Sequence, residues 1–362
     1  MTDIQAYLPP GRDPSDLLPK FFERINLCQQ NLSQNEASDI GLDFLRSPRD
    51  CWEHCLGLGA QGLPKHLQRT LASPGDRAHL NRMEELVAED TFHRQRIKSL
   101  RSSRTASRAL FLIPSTNNYK ISDGAFSTTA LLHLGLNLID GVECALCGRK
   151  QDPRVHPLLC HKIRRNEITH RHDAICQTTL RLAREECNVE GFSEPRPDWT
   201  RNGKRAERLK PDHSFAYGEA SALGDVKITT PGNVSSGATE KRKKYRAMAE
   251  QNGAKFFAEV MSYLGEMHQD YSDLLYVFGE CRQSLGRGSQ VGFVQHAVDT
   301  LQACLARGNA LCVAAARNAA AERRVRAQPG HEFGPLLEVN DVDLVEEFHS
   351  SPNPLLASGT WW

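Results

Sequence analysis

The sequence predicts a mixed α/β fold in which helices flank a core sheet, a small Cys/His segment precedes the sheet, and helical additions lie at both ends. Between about residues 166 and 285, the apolar spacing gives a helix, three short strands, a second helix and a further strand. Immediately before this stretch, cysteine and histidine recur at the spacing of metal ligands. These two observations define the fold class.

Composition and apolar spacing divide the 362 residues into six regions. In order, these are a helical N-terminal region (1–106), a connecting strand and helix (107–142), the Cys/His segment (143–165), the α/β core (166–285), a helical C-terminal extension (286–327) and an acidic, loosely ordered tail (328–362). The connecting segment is expected to hold a helix from about Asp123 to Leu136. The C-terminal extension is expected to hold two alanine-rich helices, with a break at Arg307–Asn309.

Charge is unevenly distributed along a chain whose formal net charge is only +1. Residues 93–108 carry six Arg or Lys and no acid, residues 241–246 carry five in six positions, and the chain after Arg326 has acids but no Lys or Arg. Basic patches of this kind are consistent with phosphate contacts. For any single patch, a solvated helix face is an equally good interpretation.

The N-terminal residues lack the charged and then apolar pattern of a signal peptide, and no run approaches the roughly 18 apolar residues that span a bilayer. We therefore expect a soluble, intracellular protein with no membrane partner. The eleven cysteines should then stay reduced unless they bind metal.

The Cys/His segment places Cys144 and Cys147 two residues apart and His156 and Cys160 at i,i+4. Four nitrogen and sulfur ligands in two close pairs are what a tetrahedral structural zinc site needs. The segment is short and polar, so it has little apolar material to fold around without a metal. His161 is an alternative fourth ligand.

Asp212, Asp225 and Lys227 lie on what reads as a pair of strands that reverse near Gly218–Ala220. Residues two apart in a strand share a face, so Asp225 and Lys227 point the same way, and hairpin pairing brings Asp212 opposite them. This arrangement indicates either a surface salt bridge or a metal-dependent phosphodiesterase site.

The helix that begins near Glu167 is predicted to be long and amphipathic, with His172 on or near its buried stripe. A hydrogen-bonded core histidine is the favoured interpretation of His172 from spacing alone. A short strand ending at Glu194 and a basic loop at 201–210 then lead into Asp212.

Several of these motifs together resemble a known family. Pro211–Asp212, twelve intervening residues and Asp225–Val226–Lys227 resemble the PD-(D/E)xK nuclease core. Combined with the upstream zinc knuckle, Arg171–His172 and Glu194–Pro195, the chain resembles the restriction-like endonuclease region that lies C-terminal to the reverse transcriptase in non-LTR retrotransposons. The resemblance covers roughly residues 104–325. Two departures are the lack of a polymerase motif and Asp173, where relatives often carry asparagine.

The resemblance implies a metal-dependent DNA endonuclease of retrotransposon origin that nicks a target site. Asp212 and Asp225, with the carbonyl of Val226, would hold Mg²⁺, and Lys227 would orient water or stabilise the phosphorane. The further catalytic candidates are His172 and Glu194, with Glu186 as an alternative to Glu194. The nucleic-acid-binding candidates are Arg171, Lys204, Arg205, Lys210, Lys241, Lys243 and Lys244.

The implied partners are DNA, and element RNA or a separately encoded reverse transcriptase, with a nuclear location. Two alternatives remain open from the sequence: a catalytically silent, zinc-dependent nucleic-acid-binding module, and a truncated or domesticated element remnant.

Overall fold

The structure is a computed structural model that describes residues 81–141, 143–163, 167–195, 200–201, 204–205 and 209–326. The chain divides into two compact units between residues 97 and 98. Most of the predicted N-terminal region and the whole acidic tail lie outside the described residues. In the first unit, residues 81–86 are helical and a further helix begins at Thr91.

The helices of the described residues are α1 (Thr91–Ser102), α2 (Asp123–Leu134), α3 (His156–Leu159), α4 (Glu167–Arg181), α5 (Val234–Gln251), α6 (Gln269–Ser284) and α7 (Gln290–Arg326). A π-helical turn (Leu182–Glu186) extends α4, and 3₁₀ turns lie at Arg108–Phe111 and Asn117–Tyr119. The helix predicted from Asp123 forms, and it ends two residues early because Gly135 adopts a left-handed conformation (φ 73°).

The strands are β1 (Glu190–Ser193), β2 (Thr200–Arg201), β3 (Lys204–Arg205), β4 (His213–Tyr217), β5 (Ala220–Thr229) and β6 (Lys255–Ser262). Four of them form a sheet in the order β1-β4-β5-β6, in which β5 and β6 are parallel and the other pairs antiparallel. Strands β2 and β3 form a separate two-stranded ribbon. The predicted mixed α/β fold, with its helix–strand order, is confirmed at this level.

The β4–β5 hairpin has the register that the sequence predicts. Tyr217 pairs with Ala220 across a two-residue turn in which Gly218 has a positive φ (59°), which glycine adopts without a steric cost. At the other end, His213 pairs with Gly224, so Asp212 lies at the level of Asp225.

Helices cover both faces of the sheet. Helix α5 packs on one face, and α4, α6 and α7 pack on the other. The first face buries Leu223, Val234, Ala238, Tyr245, Met248, Ala258 and Val260. The second face and its helices form the largest core cluster, which includes Ile175, Leu180, Phe215, Val226, Phe257, Tyr271, Phe278, Phe293 and Leu301.

The predicted break in the C-terminal helices is wrong, because α7 runs without interruption from Gln290 to Arg326. Gly308 serves close packing instead. A Cβ at this position would lie 2.4 Å from Cγ of Arg171, so glycine makes room for the arginine stem. Helix α7 also contributes Phe293 and Leu301 to the main core, so it belongs with the α/β core rather than forming a separate extension.

A buried charged pair crosses the central strand. The Glu259 carboxylate on β6 lies 2.9 Å from Nδ1 of His213 on β4, and both side chains are fully buried. The Glu259 side chain can cross β5 because residue 224 is glycine. A Cβ atom at this position would lie 1.7 Å from Oε1 of Glu259. His213 Nε2 also donates to the carbonyl of Cys176 on α4 (3.1 Å).

His213 and Glu259 share a proton-mediated contact in this arrangement. Burial lowers the pKa of His213, but the charge and hydrogen bond of Glu259 outweigh burial and raise it. Nε2 donates to the Cys176 carbonyl, and Nδ1 faces the Glu259 carboxyl group. The pair therefore fixes the start of β4, and Asp212 is the residue immediately before this strand.

We expect Gly224→Ala to lower the free energy of unfolding by about 2–3 kcal/mol, because the new methyl group displaces the Glu259 carboxylate and breaks its bond to His213. Chemical denaturation measures this loss. The control is Ser221→Ala on the same strand, where the side chain is only partly buried and the change should stay within about 0.5 kcal/mol. Equal stability of the Gly224→Ala and control variants would contradict the proposed packing.

Candidate active site and metal centre

The Cys/His segment brings its four predicted ligands together. The ligand atoms of Cys144, Cys147, His156 and Cys160 all lie within 4.8 Å of one another. The two sulfurs of Cys144 and Cys160 are 3.8 Å apart, and the Cys147 sulfur is 3.4 Å from Nε2 of His156. Ligands at zinc bond lengths in tetrahedral geometry are separated by about 3.3–3.8 Å. The cluster could therefore hold a metal such as zinc, with Cys160 rather than His161 as its fourth ligand.

Local backbone structure positions these ligands. The turn after Cys144 closes with a hydrogen bond from the Gly148 N–H to the Cys144 carbonyl (2.8 Å), and Gly148 has a positive φ (68°). His156 begins the single-turn helix α3, and Cys160 follows its last residue. Burial, helped by nearby cations, lowers the pKa of His156, which favours the neutral imidazole that binds metal.

Arg171, predicted to bind nucleic acid, is buried and cannot reach a phosphate. Its side chain is 2% exposed; NH1 donates to Oδ1 of Asn309 (2.8 Å) and NH2 donates to the Leu158 carbonyl (3.1 Å). Leu158 lies between the ligands His156 and Cys160. The prediction is therefore wrong for Arg171, which instead joins the metal cluster to α4 and α7.

The first carboxylate of the candidate active site is that of Asp212, at the start of β4. Its Oδ2 accepts a hydrogen bond from the Val226 N–H (2.7 Å) and lies 3.2 Å from Nε2 of His172. Burial alone would raise the pKa of Asp212, but His172 and the Val226 N–H lower it, so the group is ionised.

His172 is not a core histidine, so that interpretation is wrong. Its side chain is 32% exposed and lies between Asp212 and Asp173, whose Oδ1 is 3.1 Å from Nδ1. Burial opposes protonation, but the two aspartates raise the pKa of His172 to about 9. Asp173 thus contributes to the charge of the imidazolium.

The second carboxylate is that of Asp225 on β5, whose side chain is 3% exposed and forms an ion pair with Lys241 on α5. Burial and the charge of Asp212 raise the pKa of Asp225, although Lys241 opposes the shift. The two aspartates are therefore close enough to influence each other. The two carboxylates concentrate negative charge where β4 begins beside β5, and one cation neutralises each of them.

The remaining catalytic candidates lie elsewhere. Lys227 shares a face with Asp225, but its Nζ pairs with Glu240 on α5. The Glu194 carboxylate is 74% exposed and lies 3.7 Å from Nζ of Lys210. Glu186 pairs with His296 on α7 (2.8 Å).

The basic candidates on α5 divide into two groups. Lys241 is turned towards Asp225, whereas Lys243 and Lys244 are exposed. Lys210 is also exposed. Lys204 and Arg205 form β3 of the two-stranded ribbon.

Sequence reasoning missed the roles of Lys241, Glu259 and His213. Glu259 is a charged residue inside the apolar run Phe256–Ser262, and a buried charge of this kind indicates a buried partner. Lys241 lies one turn before buried Tyr245 on α5, which places both near the sheet face. That spacing could have identified Lys241 as a partner for Asp225.

Within the part of the chain that the structure describes, no helix is both long and apolar enough to cross a membrane. A scan against protein-family models finds no matching family, and a search of curated proteins finds no significant match. The function must therefore be inferred from the geometry and chemistry of the site.

We expect metal binding at the Cys/His cluster to depend on His156 and not on His161. His156→Ala should lose the bound zinc, because one of four ligands is removed, while His161→Ala should retain it. Elemental analysis of purified protein measures the zinc content. Chelation of wild-type protein should lower the melting temperature by about 4 °C or more, since metal binding stabilises only the folded segment. Zinc loss in His161→Ala with retention in His156→Ala would contradict the ligand set.

Proposed function

We propose that the chain is a metal-dependent endonuclease that hydrolyses phosphodiester bonds in DNA, with Asp212 and Asp225 as its metal ligands. One observation carries the proposal. The hairpin register brings Asp212 level with Asp225 where β4 begins, and burial together with the charge of Asp212 raises the pKa of Asp225. Perturbed carboxylates of this kind are typical of functional sites. The resemblance to PD-(D/E)xK nucleases adds to this support.

The donor set fits Mg²⁺. Two carboxylates and a strand carbonyl, that of Val226, are hard oxygen donors of the kind this ion prefers. The pairing of each carboxylate with a cation, His172 or Lys241, shows that both aspartates attract positive charge, and Mg²⁺ would replace these partners. When bound, Mg²⁺ supplies charge stabilisation and a bound water of lowered pKa.

The protein groups have distinct roles under this proposal. Asp212 is oriented for metal binding by the Val226 N–H, which fixes one of its oxygens (2.7 Å). Asp225 gives up its ion pair with Lys241, whose ammonium group is then free to interact with the phosphate. Lys227 lies on the same strand face and can act in the same way once released from exposed Glu240.

DNA is the proposed substrate because the helix that reaches the site with Lys241 also carries exposed lysines. Lys243 and Lys244 are exposed on α5, the helix that also carries Lys241. Contacts from such lysines to phosphates fix the position of a duplex without reading its sequence, and they make the affinity dependent on salt. A nuclear location follows from this substrate. The retrotransposon resemblance further suggests element RNA or a separate reverse transcriptase as a partner.

A second candidate function is a nucleic-acid-binding module without catalysis. It is favoured by the pairing of both lysines: Lys241 neutralises Asp225 and Lys227 neutralises Glu240. If these ion pairs persist on DNA, the carboxylates do not become available to a metal ion. The Cys/His cluster and the exposed lysines would then account for the function.

The test is nicking of supercoiled plasmid by purified protein at low salt with Mg²⁺. We expect cleavage by wild type and a loss of at least about 100-fold in Asp225→Asn, because the variant removes a charged metal ligand. The control is Glu250→Gln on α5, where an exposed carboxylate pairs with Arg246 and cleavage should be unchanged.

DNA binding measured in parallel separates the two functions. Asp225→Asn should bind DNA at least as tightly as wild type, since it removes a negative charge near the phosphates. Wild-type protein that binds DNA but leaves it intact with both Mg²⁺ and Mn²⁺ would contradict the nuclease proposal. The binding module would then be the better description.

A further inference from the structure

We propose that His172, Cys176 and Asp212 form a second, three-ligand site for a thiophilic divalent metal ion such as Zn²⁺ or Co²⁺. One ligand atom from each of the three residues lies within 4.8 Å of the others. This site is separate from the Cys/His cluster and shares only Asp212 with the proposed Mg²⁺ site.

The spacing of the ligand atoms fits a tetrahedral metal. Nε2 of His172 is 3.2 Å from Oδ2 of Asp212 and 3.9 Å from Sγ of Cys176. Nitrogen, oxygen and sulfur bound to one tetrahedral zinc ion are separated by about 3.3–3.6 Å. The two separations are within about 0.5 Å of these values, and the third, between Asp212 and Cys176, is at most 4.8 Å. Metal binding would release a proton from His172 and another from Cys176, since only the neutral imidazole and the thiolate are ligands.

The fold brings the three residues together from two elements. His172 and Cys176 are at i,i+4 on α4 and so lie on one face of that helix. Asp212 is the residue immediately before β4, and the buried pair of His213 and Glu259 holds that strand against α4. Two ligands thus lie on a helix, and the third is next to an anchored strand end.

The ligand types indicate the class of metal. A thiolate and an imidazole favour zinc-like ions over Mg²⁺, which prefers oxygen ligands only. Three protein ligands leave a fourth position open to water or to an anion, as in catalytic rather than structural zinc sites. Cys176 is buried, whereas His172 and Asp212 are partly exposed, so a metal ion enters from the solvent side and meets the sulfur last.

Occupation of this site would have a consequence for the proposed nuclease. Asp212 would give one oxygen to a metal held by Cys176, and that cation would lie beside the proposed Mg²⁺ site and repel a second cation there. A thiophilic metal would therefore compete with Mg²⁺. The proposal itself concerns metal binding, so it does not rest on nuclease activity and can be tested without it.

The experiment is a Co²⁺ titration of full-length protein whose Cys/His cluster has first been loaded with one equivalent of Zn²⁺. We expect wild type to bind a further equivalent of Co²⁺ with a sulfur-to-cobalt absorption band in the near ultraviolet. Cys176→Ser should lose this band and bind Co²⁺ at least about tenfold more weakly. The matched control is Cys281→Ser, a partly buried cysteine outside the ligand set, which should behave as wild type. Elemental analysis after the titration confirms that Zn²⁺ has stayed in the cluster.

A second variant keeps the test decisive if Cys176→Ser does not fold. His172→Gln alters a partly exposed side chain and should also weaken Co²⁺ binding at least about tenfold while leaving the Zn²⁺ content unchanged. Retention of the band and of wild-type affinity in either folded variant would overturn the proposal. A wild-type protein that binds no Co²⁺ beyond the Cys/His cluster would overturn it as well.

Discussion

The buried contact between Glu259 and His213 is the interaction on which the rest of the site depends. It joins β6 to β4 across the central strand, and the second His213 nitrogen extends the connection to the Cys176 carbonyl on α4. Breaking a buried charged pair by removing one partner typically costs about 3–5 kcal/mol. Asp212 precedes His213 in the chain, so the buried contact of His213 with Glu259 sets the position of the Asp212 carboxylate. Gly224 makes this possible, since any side chain there would occupy the space of the Glu259 carboxylate.

A second buried polar contact joins the metal cluster to the same helix. Arg171 on α4 donates to the Leu158 carbonyl, between two of the four ligands, and to Asn309 on α7. The Asn309 amide donates in turn to the Tyr263 carbonyl, just after β6 (2.9 Å). The next residue on α4 is His172, which lies beside Asp212. The same turn of α4 therefore contacts both the Cys/His cluster, through Arg171, and Asp212, through His172.

Local patterns were sufficient to predict much of this arrangement. The Cys/His spacing predicted the cluster of Cys144, Cys147 and His156, with the fourth position left between Cys160 and His161, and the alternation around Gly218 gave the hairpin register that aligns Asp212 with Asp225. These features depend on residues close together in the chain. The partner of Asp225 depends on how α5 packs on the sheet. The spacing of Lys241 and Tyr245 indicates that Lys241 is near the sheet face, but only the packing shows that it reaches Asp225. Arg171 and Gly308 were misread for the same reason. Both residues take part in the contact between α4 and α7, in which Arg171 bonds to Asn309, 138 residues further along the chain.

The central claim is that the paired carboxylates of Asp212 and Asp225 bind a divalent metal ion. Anomalous diffraction from crystals soaked in Mn²⁺, a stand-in for Mg²⁺, tests it most directly. We expect an anomalous peak in contact with both carboxylates and the Val226 carbonyl, with the Lys241 ammonium group displaced from Asp225. Crystals that show no peak there, and in which Lys241 remains bonded to Asp225 at saturating Mn²⁺, would contradict the claim.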